Sequence, residues 1–306
     1  MSNLEVTYEY PDAAASKRLA ALVGIDDIKT RLHKGLALAL NHSPILEWSK
    51  KHHKKEIAAL NSVLTRPPLF ILAGDVGVGK TALAESIGEA VARSENIGIY
   101  LYRMSLASRG GGLVGEMTTL ITSSFNEISQ AASKFKSAVG KPRAACILFI
   151  DEADALVQAR DGDQMHHEDR AGVNAVIRGI DDISAKKLPV AVIMCTNRLS
   201  AIDPAIQRRA ADIIIFTRPG AEQLAKIFHD VFHDIGFSTS EMQQLAQAAL
   251  PSQSRPTSFT YSDLTQRYVP RVILESYPDK PITFKRALDI LKELKPTPNF
   301  KDVANG

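Results

Sequence analysis

Eight consecutive residues constrain this chain more than any others: Gly74-Asp75-Val76-Gly77-Val78-Gly79-Lys80-Thr81, set between the apolar run LFILA and the segment ALAESIGEAVA. The run before them reads as a strand. The segment after them reads as a helix, with Leu83, Ile87, Ala90 and Val91 on one face. Glycines at such a junction let the backbone curl, so that successive amide N–H groups and the helix start converge on an anion. A lysine followed by a hydroxyl residue completes a loop suited to a nucleoside triphosphate such as ATP. Asp75, Val76, Gly77, Val78 and Gly79 then line the phosphates, Lys80 reaches the β- and γ-phosphates, and Thr81 holds Mg²⁺. A glycine-rich turn without chemical consequence is the bland alternative, and the strand and helix around the loop argue against it.

With 69–73, the runs 97–104, 145–150, 190–196 and 212–216 are rich in β-branched and aromatic residues. Several are apolar throughout, as strands covered on both faces of a parallel sheet are. Helical spacing lies between them, with Met117, Ile121, Phe125 and Ile128 sharing a face. The alternation predicts a doubly wound α/β fold with a parallel five-stranded sheet. After Thr217-Arg218-Pro219-Gly220 the strands stop. Leu224, Ile227, Phe228, Val231 and Phe232 keep helical spacing, as do Ala287, Ile290, Leu291 and Leu294, and Ser238 with Glu241 three residues later is a candidate capping box. Residues 1–217 are therefore expected to hold N-terminal linker helices and a large α/β domain, and 218–306 a small all-helical lid. The last residues, KPTPNFKDVANG, read as a frayed tail.

A second chemical signal is CILFIDE, an apolar strand ending in Asp151 and Glu152. Ligands of open α/β sheets sit beyond the carboxyl ends of the strands, where this pair emerges. Asp151 suits the Mg²⁺ shell beside Thr81, and Glu152 can orient and deprotonate an attacking water. Without Lys80 the pair would read as a solvated strand end.

Composition excludes other classes. Apolar residues make up 45% and charged residues 23%, as in ordinary globular chains and unlike disordered or collagenous ones. Lys+Arg 37 against Asp+Glu 34 leaves a net charge of +3, which excludes a generally basic nucleic-acid coat. No apolar run approaches the roughly 20 residues of a membrane helix. The start MSNLEVTYEYPD also lacks a signal-peptide layout, so a cytoplasmic protein without a membrane partner is expected. Cys146 and Cys195 lie in apolar runs, where thiols behave as small buried hydrophobes. The run KKHHKK at 50–55 is a solvated helix face, or else a phosphate-contacting patch. The second option motivates an alternative function, an ATP-dependent nucleic-acid loader or DNA-binding switch.

Taken in order, these motifs resemble the AAA+ ATPases from Leu22 to about Leu294. The resemblance implies a P-loop ATPase sheet followed by a helical lid, and it gives roles to further residues. Val23 and Gly24, just before IDDIKTRL, match the segment that wraps adenine, and Asn197, ending AVIMCTN, matches the polar sensor of the γ-phosphate. Arg208 and Arg209, closing Ile202-Asp203-Pro204-Ala205-Ile206-Gln207, match the arginines that reach a neighbouring subunit's ATP, with Arg209 taken as the main finger. An arginine supplied in trans is worth about 10³ to 10⁵ in rate, so the resemblance implies that hydrolysis requires a ring of copies, in the family manner a homohexamer. The bland reading is two helix-end arginines satisfying carbonyls. Gly112, Leu113, Val114 and Gly115 fall where the family places its polypeptide-gripping pore loop, with aliphatic residues in place of the usual aromatic. The polar stretch 160–170 falls at the second pore loop. SFTYSDL resembles the G-F-x-G-A-D-L of the protein-remodelling branch, with Tyr261 and Ser262 at the usual Gly-Ala. Arg267 and Arg271 are the nearest candidates for a lid sensor.

RAGVNAVIRGID at 170–181 and Arg-Ala-Ala-Asp at 209–212 are most similar to pachytene-checkpoint-type remodellers of HORMA-domain proteins. The stretch before Leu69 is too short for the substrate-binding domain of eukaryotic members. The short bacterial form accompanies HORMA proteins and cyclic-oligonucleotide synthases in antiphage defence. By that resemblance the chain hydrolyses ATP with Mg²⁺ to unfold or disassemble a protein client, a HORMA-domain protein and its complex with such a synthase. Nucleic acid is not the expected partner.

Overall fold

The apolar runs pair edge to edge into one sheet. Its strands are β1 (Glu5–Tyr10), β2 (Leu69–Gly74), β3 (Gly98–Met104), β4 (Ala144–Ile150), β5 (Val190–Thr196) and β6 (Ala210–Phe216), in the order β1-β3-β4-β5-β2-β6. This computed structural model describes residues 4–104, 116–137, 140–156, 166–253 and 255–299. The strands β3, β4, β5 and β2 run parallel. Every residue of β4 and β5 is buried, which accounts for their unbroken apolar runs. The helices Glu116–Ser133 and His166–Ala185 bury Ile121, Phe125 and Ile128, and Val176, Ile180 and Ile183, in a core shared with Leu148 and Val192.

The expected five-stranded sheet is corrected to six strands. The extra strand, β1, lies antiparallel to β3 at the sheet edge. It is an edge strand with one wet face: Val6 is 41% exposed while Tyr10 is 3% exposed and donates its hydroxyl hydrogen to Glu85 O at 2.6 Å. Polar residues on the open face dilute the apolar signal that marks the central strands. The single helix predicted after the loop is divided into Lys80–Ala84 and Ile87–Glu95, and between them the Ser86 hydroxyl donates to Ala82 O at 2.6 Å. Serine side chains compete with the helix ladder in this way.

The chain divides into two compact units. One takes the N-terminal residues through Ala20, 27–73 and 81–215; the other takes 21–26, 74–80 and the chain from Phe216 onward. The first therefore holds the sheet. The second adds to the helical region the two short segments 21–26 and 74–80, which a single boundary near 217 assigns to the large domain. Its helices Ala221–Phe232, Thr239–Ala249, Val269–Ser276 and Phe284–Glu293 enclose Leu224, Phe228, Leu245, Phe259, Tyr268 and Leu291. The capping box forms, with Ser238 N donating to Glu241 Oε2 at 2.8 Å and Glu241 N to Ser238 Oγ at 3.3 Å. The tail is not frayed at Thr297, whose N–H and hydroxyl donate to the Asp263 carboxylate at 3.0 and 2.7 Å. Among the described residues no helix is long and apolar enough to cross a membrane.

Candidate active site

In the helical unit, the glycine-rich loop is shaped by a backbone that only glycine adopts easily. Gly77 has φ of +77°, and a Cβ there would lie 2.9 Å from both Ser262 Cβ and Thr260 Oγ1. Ser262 N donates to Gly77 O at 3.0 Å and holds the loop at that distance. Lys80 is 7% exposed, and its Nζ donates to Gly74 O at 2.8 Å and Asp75 O at 2.7 Å. Val78 is buried and Val76 exposed. Gly24, with φ of +76°, leaves room for the Tyr261 hydroxyl, which a Cβ would strike, and Val23 packs on the helical core. The Tyr261 hydroxyl is buried without a hydrogen-bond partner among the described residues. Burial, with Asp26 adding to it, pushes its pKa up to about 12, so it stays a donor. A buried donor with an unmet bond beside Gly24, and a glycine cradle ending in a buried lysine, fit a purine nucleoside triphosphate.

In the sheet unit, Thr81 Oγ1 lies 3.3 Å from Asp151 Oδ1, so the two residues expected to hold Mg²⁺ are brought together. Glu152 follows with φ of +50°, is exposed, and donates its N–H to Asp151 Oδ1 at 3.1 Å. A left-handed non-glycine residue costs on the order of 1–3 kcal/mol and persists where its surroundings impose it, commonly at working sites. Because Ile150 pairs with Met194 in register, Asp151-Glu152 and Thr196-Asn197 leave neighbouring strands at one edge of the sheet. Thr196 Oγ1 lies 3.2 Å from Asp154 Oδ1 and accepts Arg198 N–H at 2.9 Å, which fixes the turn that carries Asn197.

Sequence reasoning passed over Arg103. Next to last in β3, it donates to Glu85 Oε1 at 2.7 Å and Asp151 Oδ2 at 2.8 Å, with its guanidinium 5.4 Å from the Phe149 ring centre. A charged residue next to last in an otherwise uncharged strand was the available signal. Burial pushes the Glu85 carboxyl above its usual range, against the pull of Arg103 and with Asp151 adding to the rise.

The two arginines after the short helix Pro204–Gln207 differ. Arg209 is bidentate to Asp181, at 3.0 Å from Nε and 3.1 Å from Nη2, and donates Nη1 to Ala205 O at 3.1 Å. Arg208 is exposed and its side chain has no partner among the described residues. Arg267 pairs with buried Asp263 at 2.6 Å, and Arg271 with Glu275 at 2.7 Å and with Glu293, so both are bound within the helical unit. The basic run lies at the end of the helix Ser43–His53, where Lys50 pairs with Glu56 at 2.9 Å and Trp48 packs against His52 and His53. Gly112, Leu113, Val114 and Gly115 lie outside the described residues, as does the stretch 157–165.

A parallel sheet with a glycine-rich loop, a lysine and a strand-end acidic pair defines a nucleotide-dependent ATPase. The model of the ATPase family associated with various cellular activities (AAA) matches residues 70–218. The chain belongs to that family and is an AAA ATPase. It is 52% identical over 293 residues to CD-NTase-associated protein 6 of Escherichia coli (strain MS 115-1), covering 96% of this chain and 94% of the relative. A chain of the solved E. coli MS115-1 HORMA:CdnC:Trip13 complex is 50% identical, with a TM-score of 0.88 and 96% of each chain covered. The solved Rhizobiales Trip13 is 42% identical, with a TM-score of 0.77 over 95% of this chain and 98% of that one.

Proposed function

We propose that this chain is a ring-forming, Mg²⁺-dependent, cytoplasmic ATPase, a homohexamer, that remodels a HORMA-domain protein in complex with a cyclic-oligonucleotide synthase. The observation that carries the reading is the meeting of Thr81 with Asp151 at the sheet edge from which strained Glu152 and Asn197 also emerge. The client follows from relatives at 52% and 50% identity, one named for association with a CD-NTase and the other solved with HORMA and CdnC. The domain roles proposed are those of a large ATPase domain before about 217 and a lid after it.

Val23 and Gly24 flank the base, and backbone N–H groups of 75–79 with the Lys80 ammonium bind the phosphates. Thr81 and Asp151 would hold Mg²⁺, which would supply positive charge to offset the negative charge of the triphosphate. Glu152 takes the proton of the attacking water, and Asn197 orients that water or a γ-phosphate oxygen through its amide. Arg208, whose guanidinium is uncommitted among the described residues, extends to the phosphates bound by the next copy, with Arg209 set beside it by Asp181. Residues 112–115 grip the client.

Glu152→Gln keeps the hydrogen-bonding shape and removes the base. Phosphate release is expected to fall at least about 100-fold while ATP and a HORMA client stay bound. Undiminished hydrolysis in that variant overturns the assignment.

A further inference from the structure

A carboxylate is an odd occupant of a loop built to gather negative charge, and in this chain Asp75 stands second in that loop. Its partner is Arg218. Arg218 Nε and Nη2 donate to Asp75 Oδ2 at 2.8 and 2.5 Å, Nη1 donates to Ser258 O at 2.6 Å and Thr297 O at 2.7 Å, and Nη2 donates to Pro298 O at 3.0 Å. A guanidinium has five N–H groups, and five contacts use them. Both side chains are largely withdrawn from water, at 11% and 17% exposure. The three carbonyls are neutral, so Asp75 is the carboxylate that balances this cation. The backbone carbonyl of the same Asp75 accepts from Lys80 Nζ at 2.7 Å, so one residue holds the loop's lysine by its main chain and Arg218 by its side chain.

We propose that Arg218 is a positioning residue for nucleotide binding: it cancels the Asp75 charge inside the phosphate loop and fastens that loop to the segment around Thr297 and Pro298. The inference rests on the ATPase reading above. Without Arg218 the Asp75 carboxylate would keep the Val76 N–H at 2.9 Å but lose its guanidinium, and its repulsion of the triphosphate would fall on binding more than on the chemical step. Lysine replaces it only in part, because one ammonium can balance the carboxylate but does not span it and three carbonyls.

The test is titration of the full chain with a fluorescent N-methylanthraniloyl ATP, alongside kcat and KM. Arg218→Met is expected to weaken binding about tenfold, or about 1.4 kcal/mol, raising KM more than it lowers kcat. The loss should shrink as salt is added. Arg218→Lys, which keeps a cation beside Asp75 but loses the fork, is expected to fall between wild type and Arg218→Met. The deciding variant is Asp75→Asn in the Arg218→Met background, expected to return within about threefold of wild-type affinity because the offending charge is gone. A merely structural latch gives the opposite, a double variant as weak as Arg218→Met or weaker, and that result overturns the proposal, as does wild-type affinity in Arg218→Met. Should Arg218→Met fail to fold, the double variant decides alone by the same threefold criterion. A wild-type chain that binds no nucleotide overturns the ATPase reading and this inference together; binding that ignores the Asp75 charge overturns this inference alone.

Discussion

Arg218 beside the phosphate loop donates its side-chain N–H groups to acceptors of its own chain, whereas the side chain of Arg208 after Pro204–Gln207 is exposed and donates to none among the described residues. The side chain is the same and the surroundings are opposite. A guanidinium saturated at home fixes local geometry and has nothing left to offer a partner. One left uncommitted carries a hydration shell it can exchange for phosphate oxygens. Arg209 lies between these extremes, bound by Asp181 yet half-exposed. One region thus holds itself in shape, and the other leaves a cation for something outside the chain.

The sharpest way to break this contrast is to remove the uncommitted cation. Arg208→Ala is expected to cut kcat about 10³-fold with nucleotide affinity nearly unchanged, while Arg209→Ala loses less than about tenfold. Single-turnover phosphate release with a separate binding titration checks both. If Arg208 serves a neighbouring copy, mixing Arg208→Ala chains with Lys80→Ala chains restores activity, since some junctions then pair an intact loop with an intact arginine. A larger loss from Arg209→Ala means that the Asp181 pair opens on assembly, and the contrast drawn from the free chain fails.

A smaller effect probes how self-contained the saturated region is. Asp263 is 1% exposed and accepts from Thr260 N and Thr297 N, both at 3.0 Å, from Thr297 Oγ1 at 2.7 Å and from Arg267 at 2.6 Å. Burial alone would raise its pKa, but these hydrogen bonds outweigh it and hold the carboxyl below the usual range. A folded pKa below the unfolded one gives stability that is complete above the unfolded value and is lost as pH falls through the folded one. Asp263→Asn is expected to cost about 2 kcal/mol near pH 7, lowering the thermal midpoint by about 5 °C, with the deficit shrinking below about pH 4. A deficit constant with pH would show that charge is irrelevant there.

The strands β2, β4 and β5 were legible because burial on both faces writes an uninterrupted apolar run, and the Ser238 capping box because its partners are three residues apart. What stayed hidden was long-range or carried by backbone. Arg103 meets Asp151 across 48 residues and Arg218 meets Asp75 across 143, and neither spacing leaves a local pattern. The tail 295–299 offered proline, threonine and asparagine, the residues of a loose end, yet its main-chain groups at Thr297 and Pro298 are acceptors that no side chain announces. Of the site, the residue types of the loop and the Asp151-Glu152 pair were readable. The commitment of Arg209 to Asp181 was not, although it alters which arginine the chain leaves available.

The smallest expected effect lies at Tyr261, where the self-satisfied region leaves a buried side-chain donor beside Gly24 unmet among the described residues. A buried hydroxyl without a partner costs about 1–3 kcal/mol, so Tyr261→Phe should leave the nucleotide-free protein as stable as wild type or slightly more so. If the hydroxyl finds its acceptor on the purine, the variant also loses part of what nucleotide adds. The midpoint shift on saturating with ADP would then be smaller by about 1–3 °C, matching a fewfold weaker affinity. Differential scanning fluorimetry with and without ADP separates the cases. A lower midpoint without nucleotide means the hydroxyl was satisfied after all, and an equal ADP shift in both proteins puts it out of reach of the base. Either result would make this region as closed to partners as Arg218 already is, leaving Arg208 to carry the contrast alone.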